Sequence, residues 1–143
     1  MKYKYERKIN YYETDKMGVV HHSNYIRFLE EARCRWLENN GMSMETIERL
    51  GYTIPTLEVY CKYKKHVTSG DVITIVPSIT EFNGARMKIE YIIKNKEDNI
   101  KIIDAWTTHC FTTKDIKPIN IKKKQEEIYD FFIKLQKQNL SKK

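Results

Sequence analysis

One stretch of the chain, YETDKMGVVHHSNYIRFLEEAR from Tyr12 to Arg33, gathers the side chains with chemical capacity. A single carboxylate, Asp15, stands in a short loop with Gly18. Two adjacent histidines, His21 and His22, follow, and Ser23-Asn24 then opens an apolar-periodic segment. A carboxylate just ahead of a helix start lies beside backbone N–H groups that have no partner within the helix. Those groups sit at the positive end of the helix dipole, where negative charge growing on an oxygen is stabilised. The pair suits attack on an activated carbonyl, with Asp15 as nucleophile or as general base on water. Gly18 permits the turn and a close approach of substrate to backbone. The two histidines also read as a metal pair. Adjacent residues of an extended segment point to opposite sides, however, and two histidines without a placed carboxylate are weak evidence for a metal, so none is expected.

The elements that must hold these residues are legible as periodicities. Residues 3–12 carry tyrosines and an isoleucine and read as a first strand. Tyr25, Phe28, Leu29, Ala32, Trp36 and Leu37 then recur every three or four residues, one face of a helix over about residues 24–39. Ser23 or Asn24 is its expected N-cap and Gly41 its stop, and a shorter helix is expected over residues 44–50, ended by Gly51. The period then changes to two. Leu57, Val59, Cys61 and Tyr63 alternate with polar or charged neighbours, and Ile73, Ile75 and Ile79 follow. Asn83-Gly84 is a tight-turn signal ahead of Met87, Ile89, Tyr91 and Ile93. A last strand is expected over residues 100–111, and Ile128, Phe131, Phe132 and Leu135 mark a surface-packing helix within residues 122–138. A meander of antiparallel strands with one long helix on one face is a two-layer α+β architecture. One helix of that length leaves part of the sheet bare, and dimerisation is the expected cover.

With 143 residues the chain is expected to be one domain, residues 1–143, with 122–143 as C-terminal helix and tail. A hydrophobic share of 41% with 31% charged residues fits a soluble protein with a modest core, or one completing its core through an oligomer. No apolar run approaches the ~20 residues of a membrane span, and MKYKYERKIN lacks the apolar stretch of a secretory signal, so a cytoplasmic address is expected. Cys34, Cys61 and Cys110 are odd in number and far apart, which speaks for buried thiols rather than a disulfide framework. The net charge of +7 is compatible with nucleic acid, an anionic membrane or a phosphorylated small molecule as partner, and equally with a lysine-rich solvated surface.

The order of elements and the residues Asp15, Gly18, Val20, His21-His22, Asn24-Tyr25, Phe28, Glu30, Ala32 and Arg33 together resemble the hotdog-fold thioesterases. The branch they are most similar to is the 4-hydroxybenzoyl-CoA thioesterase type and its short acyl-CoA relatives associated with the Tol–Pal system. Gly70-Asp71 and Gly84-Ala85-Arg86 match later landmarks of that family. The resemblance implies an antiparallel sheet wrapped around one long central helix, acyl-CoA as substrate, no cofactor, and a homodimer or homotetramer. It implies that Asp15 is the catalytic carboxylate and that the backbone N–H of His22 polarises the thioester carbonyl. Tyr25 is the first core residue of the helix or a wall of the acyl pocket. Lys64, Lys65, Arg86 and Lys88 are candidates for the phosphates of coenzyme A, or are solvated strand edges protected by charge. Glu30 matches an acidic family position, and a helix salt bridge with Arg33 or Arg27 explains it equally well. His66 and His109 fall on strand patterns and read as core or interface residues. Where relatives often carry a proline in the segment after Lys64-Lys65, this chain has His66-Val67. Two other readings keep the fold: hydrolysis of an acyl group on acyl carrier protein, and a non-catalytic module that binds acyl-CoA or nucleic acid. The absence of an added helix-turn-helix and of a concentrated aromatic-basic patch weighs against nucleic acid.

Overall fold

The computed structural model describes residues 3–140. Five strands form one antiparallel sheet: β1 (Tyr5–Lys8), β3 (Thr56–Tyr63), β4 (Val72–Phe82), β5 (Arg86–Asn95) and β6 (Lys101–Cys110), in the order β1-β4-β5-β6-β3. A small second pair joins β2 (Tyr52–Thr53) to β7 (Thr112–Thr113). The long helix α1 (Ser23–Asn39) lies against the sheet, and α2 (Met44–Arg49) follows it. The chain closes with α3 (Ile121–Lys124) and α4 (Glu126–Leu140). This is the hotdog arrangement.

The helical periodicity is realised side chain for side chain, since Tyr25, Phe28, Leu29, Ala32, Trp36 and Leu37 are the buried residues of α1. Along β5 the inward positions Met87, Ile89, Tyr91 and Ile93 are buried, while Arg86, Lys88, Glu90 and Ile92 turn away. Both sets belong to one core. The β4–β5 turn uses Gly84 at φ +91°, a conformation that costs a residue with a Cβ.

Several expectations are corrected. The first strand stops at Lys8, because Asn10 and Glu13 form a capping box that winds Tyr11–Glu13 into a 3-10 turn. Neither Ser23 nor Asn24 caps α1: His22 is the cap residue, with helical dihedrals and no capping side chain. His66 lies in an exposed loop rather than a strand. The last helix is more than a surface element. Ile128, Phe132 and Leu135 are fully buried, and Phe82, Phe111, Tyr129, Phe131 and Phe132 form a connected set of ring contacts at 5.2–5.8 Å between centroids. Helix α4 therefore covers sheet surface that the sequence left to a second chain. What stays bare is the edge strand β3, whose Leu57, Val59, Tyr60 and Tyr63 are 39–49% exposed.

Candidate active site

The Asp15 loop is a small closed ladder. Thr14 bridges Val20, Asp15 N–H donates to the Val19 carbonyl (2.8 Å), and Gly18 N–H returns to the Asp15 carbonyl (2.9 Å). Gly18, at φ +82°, makes the bend. One carboxylate oxygen of Asp15 accepts the Met17 N–H at 2.8 Å, an Asx-turn that sets the side chain's direction. The loop is docked from below by the segment after β3, where the Val67 carbonyl accepts Val20 N–H (3.0 Å) and Thr68 bridges Val19. His66-Val67, the departure from the family pattern, thus adjoins the Asp15 loop.

Beneath it stands a clamp that periodicity could not reveal. Glu13 is buried, and its carboxylate takes hydrogen bonds from Arg7 (2.6 Å) and from the Asn10 N–H (2.9 Å). Burial pushes this carboxyl up, but the Arg7 and Asn10 hydrogen bonds outweigh it and hold Glu13 below its ordinary range. Arg7 also bonds Glu31 on α1 (2.8 Å) and lies over the Phe28 ring (4.1 Å). The Glu13 carbonyl accepts both His21 N–H (2.9 Å) and the Asn24 amide (2.8 Å). A charged clamp and a helix side chain therefore tie Asp15's loop to the first turn of α1.

That first turn has a specific vacancy. Ser23 N–H donates to the His21 ring (3.2 Å), Asn24 N–H to the His21 carbonyl (3.0 Å), and Tyr25 N–H to the His22 carbonyl (3.2 Å). The His22 N–H has no partner among the described residues. Ser23 and Asn24 fail as caps because their side chains serve the loop instead, bonding the His21 ring and the Glu13 carbonyl. The histidine side chains do not diverge as an extended segment would require. Because His22 is already helical, the His21 and His22 rings stack at 4.2 Å. Tyr25 is buried against Phe28 and Tyr63, and burial raises its hydroxyl to about 12.

A cavity of about 260 Å³ lies farther along α1, among Arg33, Cys34, Leu37, Met87, His109 and Phe132. Neither Asp15 nor His22 lines it; at 1.5 Å per residue its first helical wall, Glu30, is about 12 Å from His22. The three cysteines are free and half-buried, and burial pushes the Cys34 and Cys61 thiols up.

A family model of the thioesterase-like superfamily matches residues 9–128. The chain belongs to that superfamily. Thioester hydrolysis is the reaction class that membership carries. The chain is similar to a protein of Aquifex aeolicus that carries an esterase name, 36% identical over 128 residues, covering 90% of this chain and 98% of the relative. It is also similar to the 1,4-dihydroxy-2-naphthoyl-CoA hydrolase of Synechocystis, 26% identical over 106 residues, covering 73% and 77%. Among solved structures, a DHNA-CoA thioesterase from Staphylococcus aureus superposes with a TM-score of 0.89 at 26% identity, covering 98% of this chain and 94% of that one.

The basic residues of this thioesterase-like chain do not form one cluster. Arg86 pairs in register with Cys110, whereas the backbone N–H groups of Lys64 and Lys65 donate to the Ile102 carbonyl, eight residues or about 26 Å away along β6. Lys64 and Lys101 both bind Asp104, and their hydrogen bonds pull that carboxyl down to about 2. Lys88 reaches Glu81 (3.9 Å) and lies over the Trp106 ring (4.7 Å), which itself stacks on Tyr60. Glu30 stands 4.0 Å from Arg33, at the limit of an ion pair. No helix among the described residues is long and apolar enough to cross a membrane.

Proposed function

We propose that this single-domain chain is a cytoplasmic acyl-CoA thioesterase of the 4-hydroxybenzoyl-CoA or short acyl-CoA type. The observation that carries the reading is the unpartnered His22 N–H at the start of a 17-residue helix, tied through Glu13 and Asn24 to the loop that presents Asp15. The thioester oxygen accepts that N–H and takes on negative charge in the field of the helix N-terminus. Asp15 then either removes a proton from water as the water oxygen bonds to the carbonyl carbon, or bonds to that carbon itself to give an anhydride that water opens. In both routes the C–S bond breaks, coenzyme A leaves as the thiolate and takes up a proton, and the acyl group departs as the acid. The substrates in the names of the Synechocystis and Staphylococcus relatives, both CoA thioesters, support this class.

The bare edge of β3 supports the proposal that two copies pair through it. Pro55 and Thr56, which line the cavity, lie where that edge begins. Val59→Lys should then shift the protein to a monomer in light scattering; an unchanged mass sinks this pairing. For the reaction, purified protein is assayed for CoA release across acyl-CoA chain lengths, with Asp15→Asn as the paired variant. Turnover should fall at least about 100-fold with the melting curve retained. Near-normal turnover of the variant would remove Asp15 from the mechanism.

A further inference from the structure

The exposed edge of β3 carries a pattern of side chains that is complementary to itself in the reverse direction. The Lys64 N–H donates to the Ile102 carbonyl, so Lys62, Tyr60 and Glu58, at steps of two, turn their backbone groups to β6. Val59 and Cys61 turn theirs out of the sheet, of which β3 is the last strand. Glu58, Tyr60 and Lys62 stand on the outer face with Thr108, Trp106 and Asp104. Val59 and Cys61 stand on the core face with Thr107 and Ala105.

Two of the outer residues are charges without a counter-ion. Among the described residues Glu58 has the Thr108 hydroxyl as its partner (2.8 Å), and Lys62 has no ion pair. Asp104, the cross-strand neighbour of Lys62, is held by Lys64 and Lys101 instead. Between the two charges Tyr60 is 41% exposed, and its ring stacks on Trp106 at 5.4 Å and 8°. A second copy running antiparallel, with Tyr60 facing Tyr60, sets each Glu58 opposite the partner's Lys62 and each Val59 opposite the partner's Cys61. The N–H and C=O groups of Val59 and Cys61 are then the ones that bond across the edge. Neighbouring registers lose these matches. Centred on Val59, both charges face neutral side chains. Centred on Cys61, Glu58 meets the partner's Lys64, which Asp104 already holds. Centred on Glu58 or on Lys62, like charges meet.

We propose that two copies of this chain pair β3 to β3 in the register centred on Tyr60, held by two Glu58–Lys62 ion pairs and by a stack of Trp106 and Tyr60 rings continued across the edge. This rests on the β3 pairing proposed above, to which it adds the register and what the register does to the site. The partner's Thr56, a wall of the cavity, comes to lie opposite Lys64 and beside Tyr63, whose hydroxyl is 3.5 Å from the His22 carbonyl. The cavity begins about 12 Å along α1 from the His22 of its own chain, and in this pairing it adjoins the partner's His22. Each reaction site is then built from the helix start of one copy and the cavity of the other.

Tyr60→Cys tests the register. Facing residues of a non-hydrogen-bonded pair have Cα atoms ~4.5 Å apart, within the range of a disulfide. The oxidised variant should become a covalent dimer, linked at residue 60 by peptide mass spectrometry. Oxidised wild type should stay unlinked, because Cys61 faces Val59. A link between two native Cys61 residues, or a dimeric variant with no link at residue 60, overturns the register and leaves the pairing standing. Glu58→Lys and Lys62→Glu should each weaken dimerisation about 100-fold in analytical ultracentrifugation, since each sets like charges opposite at two places. The double variant Glu58→Lys/Lys62→Glu should recover the dimer, and a double no tighter than the single variants overturns the ion pairs. Release of CoA from octanoyl-CoA should fall with the dimer in the single variants and return in the double; full turnover by a monomer overturns the shared site. A monomeric wild type sinks pairing and register together. If wild type cleaves no acyl-CoA, the thioesterase reading fails alone, and calorimetric binding of octanoyl-CoA replaces turnover as the readout.

Discussion

His109 makes the stability of this protein depend on pH in a way that can be calculated. Burial, reinforced by the Arg33 charge, lowers its pKa from 6.5 to about 3. Between those values the unfolded chain carries a proton on this imidazole and the folded chain does not. Protons therefore bind preferentially to the unfolded state, and stability falls as pH falls, by up to 1.36 kcal/mol per unit. From pH 7 to pH 5 the loss attributable to this one ring is about 2 kcal/mol. Glu13 adds nothing in that window, because its stabilisation is lost only below the ordinary carboxylate range. Urea unfolding at pH 7, 6 and 5 of wild type and His109→Gln checks the calculation. The wild-type midpoint should drop faster with acidification, at unchanged slope, by an amount equivalent to about 2 kcal/mol over the two units. Parallel pH profiles would show that the imidazole titrates freely in the folded state and would refute the calculation.

Glu13→Gln removes the charge that Arg7 and the Asn10 N–H share, while Glu31 remains on Arg7. Chemical denaturation at pH 7 should show a loss of about 2 kcal/mol, shrinking as the pH is lowered through the depressed Glu13 pKa. Gly84→Ala forces a residue with a Cβ to φ +91° and drives that Cβ into the Asn120 side chain, which begins α3. Its expected cost is about 2 kcal/mol, read as a lower thermal midpoint with the fold unchanged by circular dichroism.

Much of the frame was legible in the residues. The buried stripe of α1, the alternation of β5 and the turn at Gly84 follow from local geometry, because a helix repeats every 3.6 residues and a strand every two. Asp15, Gly18 and His22 stood out as well, since a carboxylate, a bend and a helix start lie within eight residues of one another. Periodicity says which face of an element is apolar but not what will cover it. So the sequence could not show that α4 fills part of the sheet, that β3 keeps a bare edge, or that His22 is already helical and stacks on His21. Nothing in the sequence marks Glu13, on which Arg7 and Asn10 close in the fold. The hydrogen-bonded row of Arg33, Tyr91, Thr107 and His109 joins residues up to 76 positions apart. Only strand pairing across β5 and β6, with Arg33 reaching Tyr91 from α1, brings those groups within hydrogen-bond distance. The sequence by itself determined most of the elements and set Asp15, Gly18 and His22 at one helix start. Which backbone N–H stays unpartnered, which charge is buried and which side chains line a cavity was decided by tertiary packing.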